Sequence, residues 1–237
     1  MSLFVLIGGK ANKEILTNRI EKAIVALANK ENPVLLYCPF ASNDIEKSIL
    51  RFNNLMKGIN CNIINIRLNE LDKFEEYLKQ ADILYIGGGC CDDLVKFFKD
   101  NKLDKILLKY IDEDKVFAGS SAGAMLYCTS AMGDKYVYVD NFKSYNFKML
   151  DCLGILNINI CPHYQNEDLI VYNDEIKNYD MDAFGIEEDT ALIIDGNKYY
   201  VVKETKNTSL YHFDRKTKIM KPLYEGVVYE KDSSFRS

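Results

Sequence analysis

Apolar residues follow two alternating patterns over the first 130 positions: short unbroken runs, and longer stretches in which they recur every three or four residues. The run at 3–7 predicts a buried strand ending at Gly8-Gly9. Residues 12–29 carry a helical stripe of Ile15, Ile20, Ile24, Val25 and Leu27. The alternation continues with strands at 33–38, 62–66, 83–86 and 115–118 and helices at 45–56, 71–80 and 93–110. The strand at 83–86 breaks at Gly87-Gly88-Gly89; the one at 115–118 stops at Gly119, and a helix is expected from Ala122. Successive β-α units whose strands are apolar throughout predict a parallel sheet covered by helices on both faces. In such sheets ligands and catalytic groups collect beyond the carboxyl ends of the strands.

The last hundred residues are patterned differently. A strand at 156–161 is closed by Pro162, and another is expected at 184–186. Residues 191–194 and 199–202 flank an Asp195-Gly196 turn as a hairpin, and 210–213 and 219–223 can pair across 214–218. Taken as an antiparallel extension of the same sheet, these segments complete an α/β three-layer sandwich. It has a mostly parallel central sheet, helices on both faces and a C-terminal antiparallel hairpin extension, in a single domain spanning 1–237.

Composition narrows the classes of function. With 237 residues, 48% hydrophobic and 27% charged, the chain can bury a large core without disulfide or metal staples. A net charge of −5 lacks the basic footprint of a nucleic-acid binder. The seven cysteines are odd in number, have no C-x-x-C pair and sit mostly in apolar runs, which reads as buried reduced thiols. Two histidines with no clustered Cys/His spacing offer no metal site, and no cofactor is expected. No run reaches 18 apolar residues and the N-terminal run is too short for export, so the expectation is a cytoplasmic protein without a membrane partner. A homodimer is allowed, but no feature argues for one.

The sharpest chemical feature is Gly119-Ser120-Ser121-Ala122-Gly123-Ala124. It fits G-x-S-x-G directly after a strand and before a helix, the context of a nucleophile elbow. Small neighbours two residues either side let the turn close and push the Ser121 hydroxyl above the sheet, with the Ala122 N–H aimed at any oxyanion formed there. A glycine-rich turn that packs closely or binds phosphate is the competing reading. The serine needs a base. His163 follows Pro162 at the carboxyl end of a strand, the same edge as Ser121, whereas His212 lies mid-strand as a solvated or half-buried residue. A carboxylate should orient the histidine. Glu188, within Glu187-Glu188-Asp189 past a strand end, and Asp134, thirteen residues after Ser121, are the candidates, and the pattern does not separate them. Gly87-Gly88-Gly89 ends its strand at that edge and can offer a second oxyanion donor, with a plain tight turn as the competing reading. Cys90 and Cys91 open the next helix but have no histidine placed to serve them.

These motifs in this order resemble dipeptidase E, cyanophycinase and their relatives, serine peptidases with a sheet like that of class I glutamine amidotransferase domains. The matching residues are Gly87-Gly88-Gly89, Gly119 to Ala124, Pro162-His163-Tyr164, and Gly185-Ile186-Glu187-Glu188-Asp189-Thr190-Ala191-Leu192, covering roughly residues 4–205. The resemblance implies Ser121 as nucleophile, His163 as base and Glu188 as orienting acid, with Asp134 second, and Gly89 and Ala122 as oxyanion donors. It also implies a small peptide substrate cleaved at an aspartyl or β-aspartyl bond. Two positions depart from the family's pattern. Cys90 stands where Asn is frequent, and no arginine occurs between Arg67 and Arg215 to meet an acidic substrate, which leaves Lys177 as a point charge. Two other readings are an α/β-hydrolase-type esterase, whose chain order Ser121, Asp134, His163 fits, and a catalytically silent binding protein on an amidotransferase-like sheet.

Overall fold

The computed structural model describes residues 2–11, 17–133, 147–165, 171–231 and 235–236. The first half alternates strands and helices: β1 (Leu3–Ile7), α1 (Arg19–Leu27), β2 (Val34–Cys38), α2 (Ile45–Leu55), β3 (Asn62–Asn65), a 3-10 turn (Leu68–Lys73), α3 (Phe74–Gln80), β4 (Ile83–Ile86), α4 (Cys91–Asp100), α5 (Leu103–Tyr110), β5 (Val116–Ser120) and α6 (Ala122–Met125). The second half is mostly strand: β6 (Cys128–Gly133), β7 (Lys148–Asp151), β8 (Leu156–Pro162), α7 (Val171–Glu175), β9 (Asp182–Ile186), β10 (Thr190–Asp195), β11 (Lys198–Lys203), β12 (Leu210–Asp214), β13 (Ile219–Leu223) and β14 (Tyr229–Glu230).

The main sheet runs β14-β11-β10-β1-β5-β4-β2-β3. Its five N-terminal strands are parallel, as their unbroken apolar runs predict. The β10–β11 hairpin extends it antiparallel beside β1. The second predicted hairpin does not join it. β12 and β13 belong to a separate sheet, β13-β12-β9-β8-β6-β7, which also takes the strands expected at 156–161 and 184–186. Two of its members, β6 and β7, escape the apolar pattern because Cys128-Thr129-Ser130-Ala131 is small and polar and β7 is only four residues long. The helical stripe predicted over 93–110 is divided into α4 and α5, where Lys102 takes a left-handed φ of 58°. The described part of the first helix starts at Arg19.

Alternate residues of β1 show the layering. Val5 and Ile7 pack with Ile20 and Ile24 of α1 and Ile49 and Phe52 of α2. Phe4 and Leu6 face a larger core shared by α3, α4, α5 and the second sheet, including Leu156, Ile160 and Phe184. The outer face of the second sheet is covered by Tyr172 of α7 and by Ile176. Both sheets therefore share one buried core, and their carboxyl ends meet at one edge. Among the described residues no helix is long and apolar enough to cross a membrane.

Candidate active site

Ser121 sits between β5 and α6 at φ 52°, ψ −117°, a conformation that L-residues rarely adopt. Three backbone hydrogen bonds hold it there. Its N–H donates to Ile7 O at 2.9 Å, and its carbonyl accepts from the Ala124 and Met125 N–H groups at 2.9 and 3.0 Å. The flanking glycines are steric requirements: a Cβ on Gly119 would stand 2.2 Å from Gly123 O, and one on Gly123 would stand 2.1 Å from Ile86 O. Serine at a helix N-cap ordinarily caps with its hydroxyl. The Ser121 hydroxyl makes no such bond and lies 2.9 Å from His163 Nε2 instead.

His163 comes from the other sheet, just past β8, also with a left-handed φ of 55°. Its Nδ1 lies 2.9 Å from Glu188 Oε1. Ser121, His163 and Glu188 thus form one line of two hydrogen bonds, in which the tautomer with hydrogen on Nδ1 donates to the carboxylate and leaves Nε2 to accept from the serine. The Glu188 backbone is itself anchored, its N–H donating to Gln165 Oε1 at 2.7 Å. Gln165 carries no recognisable signal in the sequence.

What brings the two sheets' residues together is the end of β1. Ile7, Gly8 and Gly9 present successive carbonyls to three loops: to Ser121 N–H, to His163 N–H at 3.0 Å and to Asp189 N–H at 2.9 Å. The approach is too close for side chains. A Cβ on Gly8 would lie 2.3 Å from Glu187 O, and one on Gly9 would lie 2.4 Å from His163 Cε1. Read from the sequence, Gly8-Gly9 is only a strand end; its partners lie more than a hundred residues away, so no local pattern shows them.

The structure also separates the acidic candidates. Glu187 turns from the histidine and accepts from Ser209 N–H at 2.7 Å. Asp189 is buried and accepts from Ala11 N–H at 3.2 Å, and burial raises its carboxyl above the usual range. Of the three consecutive carboxylates only Glu188 reaches His163 within hydrogen-bond distance. Asp134 lies outside the described residues. The triple glycine is where the sequence places it. A Cβ on Gly88 would be 3.2 Å from Ser121 Cβ, and Gly89, at φ 151°, has no room for one against Ala41 O. The loop is tied down by Cys90 N–H to Ala41 O at 3.0 Å. Cys90 and Cys91 are buried and their thiols are pushed up, Cys90 by burial and Cys91 by its contact with Cys152 together with burial, opposite to the activation a thiol nucleophile needs. Lys177 pairs with Asp174 at 2.8 Å on the exposed turn after α7. His212 is half-buried, stacked on Phe184 and within 3.2 Å of Asp182, the structural role its mid-strand position predicts.

A serine in a constrained strand-to-helix turn, in line with a histidine and a glutamate above the carboxyl edge of an α/β sheet, places the molecule among α/β proteins that carry a Ser-His-Glu constellation. Comparison with known proteins refines this. The sequence model of Peptidase family S51 matches residues 3–202, and the chain belongs to that family of peptidases. It is 27% identical over 162 residues to the Bacillus subtilis (strain 168) protein named "Uncharacterized peptidase YgaJ", a match spanning 68% of this chain and 67% of that protein. It is 26% identical over 107 residues to "Uncharacterized peptidase Lmo0363" of Listeria monocytogenes, where the match spans 44% of this chain and half of the relative. The fold matches the crystal structure of a peptidase from an acI-B1 Actinobacterium with a TM-score of 0.74 at 17% identity, covering 98% of this chain and 97% of that one. A putative peptidase E protein from Listeria monocytogenes EGD-e matches with a TM-score of 0.59 at 19% identity, covering 86% and 98%.

Proposed function

We propose that the protein is a serine peptidase that hydrolyses short peptides through an acyl-enzyme on Ser121, with aspartyl and β-aspartyl bonds as the substrates its family resemblance implies. The observation that carries this reading is the position of His163, 2.9 Å from the Ser121 hydroxyl on one side and 2.9 Å from Glu188 on the other. His163 Nε2 takes the Ser121 proton as Oγ attacks the peptide carbonyl, and Glu188 stabilises the imidazolium that results. The negative charge forming on the carbonyl oxygen is assigned to the N–H groups of Ala122, the residue after Ser121, and of Gly89, next in the chain to the Gly88 that packs against Ser121. His163 then gives its proton to the leaving amine, the C–N bond breaks, and the acyl group stays on Ser121. A water molecule, deprotonated by the same histidine, releases the free acid and restores the serine.

The test is hydrolysis of a panel of α-aspartyl, β-aspartyl and neutral dipeptides, followed by release of free amino acids. The wild type is expected to cleave at least one class, and Ser121→Ala to lose on the order of 10³-fold or more in kcat/KM. Turnover in Ser121→Ala equal to that of the wild type would refute the reading.

A further inference from the structure

A cleft of about 610 Å³ opens directly beside the nucleophile turn, with Gly87, Gly88 and Ser120 on one edge and α2 on another. This is the size of a small-molecule site. Nothing in the triad chemistry uses it. Its lining has two features. Three aromatic residues, each almost fully buried, are among its lining: Phe52 stacks on Tyr37 with ring centroids 3.8 Å apart and lies 4.7 Å from Tyr85. Its charged lining is cationic only, Lys10 and Arg51, with no described carboxylate among the lining residues.

The two cations are not equivalent. Lys10 Nζ sits 3.0 Å from Glu21 Oε2 and 3.0 Å from Glu204 Oε1, so its charge is already neutralised. Arg51 pairs with no described carboxylate and stands exposed on α2, one turn from Asn54, which also lines the cleft. A guanidinium fork left open beside an aromatic wall suits a planar carboxylate attached to a bulky apolar group. The last residue of a peptide has that chemistry.

We propose that this cleft seats the C-terminal residue of a short peptide substrate, with Arg51 binding the free α-carboxylate and Phe52, Tyr37 and Tyr85 taking the side chain. Arg51 is therefore a specificity-determining residue, and the enzyme selects free peptide ends over internal bonds. The proposal rests on the peptidase reading for its substrate class, but the cleft can be tested apart from catalysis.

The experiment measures equilibrium binding to Ser121→Ala protein of alanyl-phenylalanine and aspartyl-phenylalanine, each with a free and an amidated C-terminus. Both free acids are expected to bind at least tenfold more tightly than their amides. Adding Arg51→Ala is expected to weaken the acids by roughly 10- to 100-fold and leave the amides unchanged, with Arg51→Lys in between; melting curves check that both variants fold. Equal affinity for acid and amide, or no binding of either, overturns the proposal. So does tight binding of aspartyl-phenylalaninamide that depends on Arg51, which would assign the arginine to an acidic side chain. Peptide turnover by the wild type is scored separately. Acid-selective binding without turnover sinks the peptidase reading and leaves the cleft assignment standing; turnover without acid selectivity does the reverse.

Discussion

Ser121 and His163 both occupy left-handed backbone, a conformation that costs roughly 1–3 kcal/mol per residue and persists only where the surroundings impose it. Here they are imposed by the end of β1, whose carbonyls fix both loops. Gly9 is the most exposed point of this arrangement, because any side chain there meets the His163 ring. Gly9→Ala is expected to lower the rate of covalent serine labelling by about 100-fold or more, since a displacement near 1 Å at the reacting atoms has that effect. A labelling rate like the wild type's would show that the ring is held by something else. The carboxylates give a second contrast. Glu188→Gln should reduce kcat by 10²- to 10⁴-fold, roughly the range for losing a triad acid, whereas Glu187→Gln should lower the melting temperature with kcat nearly intact. Because Glu188 already stands where the orienting acid is needed, Asp134→Asn should leave kcat close to that of the wild type. The serine and histidine are legible in the sequence because their signals are local: an elbow motif and a strand end. The choice among Glu187, Glu188 and Asp189 is not, because it depends on which way each side chain leaves β9, and that is set by the pairing of β9 with β8 and β12.

At the scale of elements, α1 is held in place by a residue far along the chain. Glu204, at the end of β11, accepts from the Arg19 and Ile20 N–H groups at 3.0 Å each and from the Thr17 hydroxyl, and it pairs with Lys10. It satisfies the helix N-terminus in place of a local cap, since Asn18 makes no side-chain cap bond. Burial opposes its ionisation, but Thr17, Ile20, Lys10 and Arg19 outweigh that and hold its carboxyl down to about 2. The folded value lies below the unfolded one, so this contribution is fully present above about pH 4.5 and is lost as pH falls toward 2. Glu204→Gln should therefore lower the melting temperature at pH 7 and flatten its decline between pH 4.5 and 2; an unchanged acid limb would contradict the capping role. Glu21 acts in the opposite sense, because burial raises its carboxyl and its ionisation costs stability as pH rises. The α1 stripe is visible in the sequence, but its cap is not, because the capping carboxylate lies more than 180 residues away.

At the scale of the molecule, Ser121, His163 and Glu188 are brought together from two sheets, so the proposed activity depends on the core those sheets share. Phe184 of β9 lies at this junction, stacked on His212 of β12 with centroids 4.8 Å apart and edge-on to Tyr199 of β11 at 5.7 Å. It is fully buried, and Phe184→Ala is expected to cost about 3–5 kcal/mol. If both sheets unfold together, loss of far-UV dichroism and loss of serine labelling will superimpose in one transition. Two separated transitions would show that the sheets melt independently. The five parallel strands and the β10–β11 hairpin are readable from apolar runs and turn residues. The division into two sheets is not, since β6 lacks apolar alternation and both hairpins look alike in pattern; only packing decides that β12 pairs with β9 rather than with the main sheet.

The most direct test of the account is covalent labelling with a fluorophosphonate, which phosphonylates activated serines, on the wild type and on Ser121→Ala and His163→Ala. The account predicts a single adduct on Ser121 in the wild type, none in Ser121→Ala, and labelling slowed by at least about 10³-fold in His163→Ala. A wild-type protein that remains unlabelled, or a His163→Ala variant that labels at the wild-type rate, would contradict it.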